Sequence, residues 1–278
     1  MKFKLFDYVN IGYYFLSILI VLFFYMAIPK PNLLIAIYLT LIISSVYIIK
    51  NENKNRYFLF LRYFYPFIFV SFVFESLGFI VPFINPHNKD YILVHADRFI
   101  FGKDLCLILN FLNVRGITDY LQLSYITYYF LPLFLAIYLY KKHKTKLLDQ
   151  SLFAIFLGYY VSYLGYMAIP AVGPRYTFAY LSKMPLHGWY IYDVIHPMLN
   201  ALEDIKQDCF PSGHVELSLL TLLLFKDINR KVSLIILPIV LSLILSTVAL
   251  RYHYGTDVIF GILIAFLIYY FSKFIYKN

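Results

Sequence analysis

Charge is scarce in this chain. Only 14% of its 278 residues are Asp, Glu, Lys or Arg, and just 15 are acidic. Hydrophobic residues make up 62% and aromatic residues 21%, giving a mean hydropathy of +0.72. A water-soluble chain of this length could not bury that much apolar surface, so a bilayer must solvate much of it. Cysteine is almost missing: Cys106 and Cys209 are too few for a disulfide framework. The topology below would allow them one bridge, but two free thiols is the simpler expectation. Repeats, low-complexity tracts and a linker to a separate soluble domain are also missing. The formal charge of +9 raises the question of nucleic acid. The basic residues stand in short runs between apolar segments, however, without a basic–aromatic recognition module, so no nucleic-acid partner is expected.

What the sequence does have is long apolar runs. A core of about 30 Å needs about 20 helical residues. Runs of that order fall at about 10–28, 32–49, 60–83, 122–140, 149–170, 211–225, 232–250 and 254–275. The first is longer than a signal-peptide core and no small-residue cleavage site follows it, so it reads as a retained span. The third is the least regular, with Arg62 near one end and Glu75 deep inside, and could be re-entrant. The expectation is an all-α, polytopic membrane helix bundle of about eight transmembrane helices. Residues 1–56 would form an N-terminal hairpin extension, and residues 57–278 a six-helix catalytic core.

Alternate connections carry Lys50, Lys54 and Arg56; Lys141, Lys142, Lys144 and Lys146; and Lys226, Arg230 and Lys231. With Lys2, Lys4, Lys273 and Lys277, one face gathers fourteen of the twenty-four basic residues. Basic residues near span ends stay cytoplasmic, which places both termini inside. The long connections at about 84–121 and 171–210, and the turn at Arg251–Tyr254, then face outward. Frequent Lys, Asn, Ile and Tyr fit an AT-rich bacterial genome, and hence the cytoplasmic membrane. In the first long connection, His95–Gly102 reads equally as a short element on the membrane surface or as a solvated loop.

Three polar clusters share the outward face: Gly173-Pro174-Arg175, Cys209-Phe-Pro-Ser-Gly-His214, and Arg251-Tyr-His253-Tyr-Gly-Thr-Asp257. Pro211, Ser212 and Gly213 suit a helix start, with proline in the first turn, serine as cap and glycine allowing close approach. The free N–H groups of such a start attract phosphate, although a capped helix with a bystander histidine would look the same. His253 and Asp257 are one helical turn apart, so the carboxylate can hold one ring nitrogen and leave the other free to attack. Arg175 and Arg251 can bind phosphate oxygens in a bidentate fork, or simply meet lipid headgroups. A metal at His214, His253 and Asp257 is the rival. A hard ion would want more oxygen ligands, and a catalytic zinc would leave both arginines without a role. Neither metal nor other cofactor is expected. Glu216 near this end could orient His214 or bind a headgroup, or simply stand in a wet cavity.

Phe-Pro-Ser-Gly-His followed by His-x-x-x-Asp resembles the type 2 phosphatidic acid phosphatase superfamily of integral membrane enzymes, over roughly residues 60–275. The resemblance implies that His253 is the nucleophile that forms a phosphohistidine and Asp257 its partner. His214 would protonate the leaving oxygen, and Ser212 and Gly213 would cradle the phosphate. The arginine pattern departs from typical phosphatase members. Ala168 stands where their Lys-x6-Arg-Pro motif begins, and Thr247 stands six before His253 where they carry an arginine. Arg-Tyr-His-Tyr-x-x-Asp-Val, Gly-Pro-Arg175 and Asp97-Arg98-x-x-Phe-Gly look closer to the branch containing fungal inositol phosphorylceramide synthase.

These residues support a metal-free, two-step displacement on a membrane phospholipid or other lipid phosphate. Arg175, Arg251, Ser212 and Gly213 would hold the phosphate. The span from Pro211 to Phe225 covers only about 22 Å, which favours lateral access from the leaflet over a soluble ester. Water as acceptor makes the protein a lipid phosphate phosphatase. A lipid alcohol as acceptor makes it a phosphotransferase, the alternative. A lipid transporter is the third reading, but no Gly/Pro-broken pair lies near the midplane.

Overall fold

The computed structural model describes residues 2–202 and 205–277. Every regular element among them is helical. The longer helices are α1 (Leu5–Phe23), α2 (Pro31–Lys50), α3 (Arg56–Leu77), α4 (Asp90–Phe101), α5 (Arg115–Ile126), α6 (Leu131–Lys141), α7 (Thr145–Ala168), α8 (Ile191–Leu202), α9 (Gly213–Ile228), α10 (Arg230–Ala249) and α11 (Gly255–Lys277). Their starts obey local rules. Pro31 opens α2 where its missing N–H costs nothing. Asn55 and Asn229 cap α3 and α10 by accepting from first-turn amides.

Among the described residues, six helices are long and apolar enough to cross a bilayer: α1, α2, α3 extended to Ile84, α7, α10 and α11. The pair α5–α6 makes a seventh if counted as one span broken by 49°. The expected run at 122–140 is therefore not one straight helix. Pro132 sits in the first turn of α6, where it can supply no N–H to continue the hydrogen-bond ladder from α5. The remaining expected span is α9, whose 16 residues reach only about 24 Å.

Helix α7 is the most buried of the spans and packs against α1, α3, α6, α9 and α11. Helix α9 is enclosed by α7, α10 and α11. The N-terminal hairpin joins this body through α1, where Tyr13 stacks on Tyr160 at 4.1 Å and Tyr160 donates to Asn10. Arg62, awkward in a span, is fully buried and paired with Asp7 and Glu52. Lys4 pairs with Asp149, and Lys273 with Asp227. These contacts gather the basic connections at one end of the bundle. The other end holds the long connections, tied together by Lys89 N–H donating to Pro170 O and Arg175 N–H to Arg251 O. His95–Gly102 belongs mostly to α4, an amphipathic helix that buries Leu93, Val94 and Asp97 while exposing Tyr91 and Phe99.

Candidate active site

The start of α9 is built as a phosphate-sized niche would need to be. Ser212 caps the helix, its Oγ accepting from Val215 N–H at 3.4 Å. Pro211 stands just before the cap, outside the first turn where the sequence had suggested it. A Cβ on Gly213 would lie 2.6 Å from the Tyr166 hydroxyl, so glycine is what lets α7 approach this closely. His214 leaves the first turn and packs between Tyr125, at 4.3 Å, and Tyr128, at 4.2 Å between ring centres. Its Nε2 is buried with no hydrogen-bond partner. The ring lines a cavity of about 430 Å³.

The second histidine follows α10, where Tyr252 and His253 both donate their amides to Thr247 O. His253 Nδ1 lies 2.8 Å from the Cys209 carbonyl and 3.5 Å from Asp257 Oδ2. A carbonyl can only accept, so Nδ1 carries the proton and Nε2 presents a lone pair. The closer orienting partner is thus a main-chain oxygen, with the carboxylate behind it. Asp257 is fully buried and accepts from the Tyr254 amide at 2.8 Å and the Cys209 thiol at 2.8 Å. Burial, and then the Asp257 charge, push that thiol well above its usual range, so it stays protonated and donates. The centres of the two imidazoles are 5.6 Å apart.

Cys209, His253 and Asp257 offer three ligand atoms within 4.8 Å of one another. Their hydrogen bonds already account for the grouping. The two cysteines are free and buried.

The arginines stand further out. Gly173, at φ +86°, lets the 170–175 loop pass so close to the Tyr252 carbonyl that a Cβ would lie 2.5 Å from it. Arg175 then lays its guanidinium 4.7 Å from the Tyr252 ring centre and donates to Asn200 Oδ1 at 2.9 Å. Asn200 Nδ2 donates in turn to His196 Nε2, and His196 Nδ1 to the Tyr252 hydroxyl, which donates to Gln122. Burial, helped by the Arg175 charge, draws His196 down to about 4, so this chain runs through a neutral imidazole. Arg251 adopts φ +66° and donates to Asn110 Oδ1 at 3.1 Å and Leu181 O at 3.5 Å. Both arginines line a second chamber of about 230 Å³.

The sequence pattern of the PAP2 superfamily matches residues 92–271, well over half of the chain. The chain belongs to the PAP2 (type 2 phosphatidic acid phosphatase) superfamily. No curated protein and no solved structure matches it. Membership supports a phosphatase-type phosphoryl-transfer enzyme in the membrane. The match runs from within α4 to within α11, so every candidate residue of this PAP2 chain lies inside it.

Within the PAP2 body, His214, His253, Asp257, Ser212 and Gly213 converge on one wall. Arg175 is set behind the Tyr252 ring, and Arg251 bonds toward Asn110. Glu216 is fully buried between α7 and α9, where it accepts a hydrogen bond from Ser162. Asp90 and Asp208, and the role of Asp97, escaped the sequence reading. Asp90 accepts from the amides of Val172 and Gly173 and the hydroxyls of Thr177 and Tyr254. Asp97 accepts from the amides of Gly255 and Thr256 and the Thr256 hydroxyl. Two acids on α4 therefore clamp the loops bearing Arg175 and His253. Their seven-residue spacing in an amphipathic run was the available signal. Asp208, pushed up by burial and pulled back by Arg175 and His253, had no signal beyond its nearness to Ser-Gly-His.

Proposed function

We propose that this protein hydrolyses lipid phosphate esters through a phosphohistidine at His253. The observation that carries this reading is the pairing of the two imidazoles. One has Nδ1 bound to a carbonyl and Nε2 left as a nucleophile. The other has a buried Nε2 with no hydrogen-bond partner and a ring that lines a cavity, and their centres are 5.6 Å apart. Nε2 of His253 attacks phosphorus and the P–O bond to the lipid breaks, while His214, protonated in the substrate complex, gives its proton to the leaving oxygen. Water then attacks the P–N bond, His214 takes its proton, and inorganic phosphate leaves. The first-turn amides of α9 behind Ser212 and Gly213 stabilise the equatorial oxygens; Arg175 and Arg251 add charge from the neighbouring chamber. Asp257 holds His253 through its charge and through the Cys209 thiol. No step draws on a metal.

Transfer to a lipid alcohol is the second reading, favoured by the size of the cavity beside His214, about 430 Å³, which exceeds what a water acceptor requires. Residues 57–278 would form the catalytic core and residues 1–56 an added hairpin. The basic end would face the cytoplasm and the histidines the outer leaflet of the cytoplasmic membrane. The test incubates purified protein with a lipid phosphate, with and without a lipid alcohol and EDTA. Free phosphate from lipid alone supports hydrolysis, and product that needs the alcohol supports transfer. Abolition by EDTA would sink the metal-free mechanism, and wild-type rates in His253→Ala would sink the nucleophile.

A further inference from the structure

The cavity beside His214 has a lining at odds with a simple acyl-chain groove. Its walls hold five tyrosines: Tyr128, Tyr129, Tyr159, Tyr163 and Tyr166. Their rings form a connected series that starts at the His214 imidazole. Tyr128 lies 4.2 Å from His214 and 6.4 Å from Tyr159, Tyr159 lies 6.1 Å from Tyr163, and Tyr163 lies 5.9 Å from Tyr166. The series exists because positions 159, 163 and 166 fall on one face of α7. Phe74 of α3 closes the far side, 5.7 Å from Tyr163.

Two carboxylates, Glu75 of α3 and Asp208, share these walls, and no lysine or arginine is among the described lining residues. A carboxylate such as Glu75, inside an apolar helix and lining an aromatic pocket, is costly decoration for a site meant only for hydrocarbon. Two acids are also too few to cage a hard metal ion, which takes six or more oxygens. Aromatic faces with an acid alongside are, however, what an alkylammonium group requires. The negative face of each ring attracts a diffuse cation, and a carboxylate supplies the counter-charge. The other chamber is opposite in character, with two arginines and no acid among its described lining residues.

We propose that the tyrosine-walled cavity binds an ammonium group carried by the lipid, next to the phosphoryl group held at the histidines. The ligand class is an amino- or trialkylammonium-bearing lipid, in which the cation lies a few bonds from the phosphoester. The cation can belong to the phosphorylated lipid itself or to an acceptor alcohol. This rests on the phosphoryl-transfer reading for its position, but not for its detection.

The test compares two lipid phosphates of equal chain length, one a plain alkyl phosphate and one bearing an amine on the carbon next to the phosphoester carbon. In wild type, kcat/KM should favour the amine by about tenfold, and Glu75→Gln should bring the ratio close to one. A tenfold gain seen only when an amino alcohol is added as acceptor, and lost in Glu75→Gln, assigns the cation to the acceptor. Independently of turnover, decyltrimethylammonium below its micellar concentration should raise the Tm of wild type more than that of Glu75→Gln. Equal kcat/KM on both phosphates, with or without an amino alcohol, overturns the proposal, as does an equal Tm response in the two proteins. Failure to turn over either phosphate overturns the phosphatase reading and leaves the Tm comparison to decide this one.

Discussion

The two ends of the bundle use their acids differently. At the basic end, acid meets base: Asp7 and Glu52 enclose Arg62, Asp149 holds Lys4, and Asp227 holds Lys273. At the catalytic end, Asp90 and Asp97 bond main-chain amides, Asp257 takes an amide and a thiol, and Arg251 donates to neutral oxygens. Arg98, half exposed and paired with the buried Asp104, is an exception. Paired charges lock spans and leave little field. Acids spent on amides fix loops and leave arginine charge for an anion. The first end is built for topology and the second for chemistry.

That contrast can be broken at either end. The largest effect falls on the histidines: His253→Ala should lower phosphate release by about 10³-fold or more, and His214→Ala by about 10²- to 10⁴-fold. Neither should move the thermal midpoint much. At the basic end the signs reverse. Arg62→Leu strands the buried Asp7 and unpairs the partly exposed Glu52, and should cost about 3–5 kcal/mol in unfolding experiments, while kcat per folded molecule stays near wild type. Asp97→Ala should do some of both, losing about 1–2 kcal/mol from the start of α11 and lowering kcat as the His253 turn loosens. A kcat unchanged in Asp97→Ala would show that the clamp serves folding alone.

A pH titration sharpens the comparison further. His196 is drawn from about 6.5 in the unfolded chain to about 4 in the fold, so folding favours its neutral form. Its contribution to stability is complete above pH 6.5 and is lost as pH falls toward 4. The Tm of wild type should therefore drop across that window more steeply than that of His196→Gln.

What the sequence disclosed followed from how local each signal was. Pro-Ser-Gly-His and His-x-x-x-Asp are each complete within a helical turn or two, so the capped start of α9 and the pairing of His253 with Asp257 could be read directly. The two-ended charge pattern was legible because lysines mark short loops whatever the helices do between them. The helix break before Pro132 had its proline in plain view, but hydropathy averages over it. The clamps could not be read, because Asp97 finds its partners 158 and 159 positions away. Glu216 could not be placed for a related reason: its neighbour in sequence is His214, but its neighbour in space is Ser162 on another helix.

Asp90 and Asp97 lie on the same side of α4, and the opposite side shows Tyr91, Phe99 and Ile100 to the surroundings. Both loops of the proposed site are thus moored to one helix, which would ride on lipid as a float if that exposed apolar side meets the membrane. The level of the membrane surface would then be a mechanical input to the alignment of His253 with Arg175. A flat bilayer nanodisc should accordingly support faster turnover than a small, strongly curved micelle, and Phe99→Asp should narrow the difference between them.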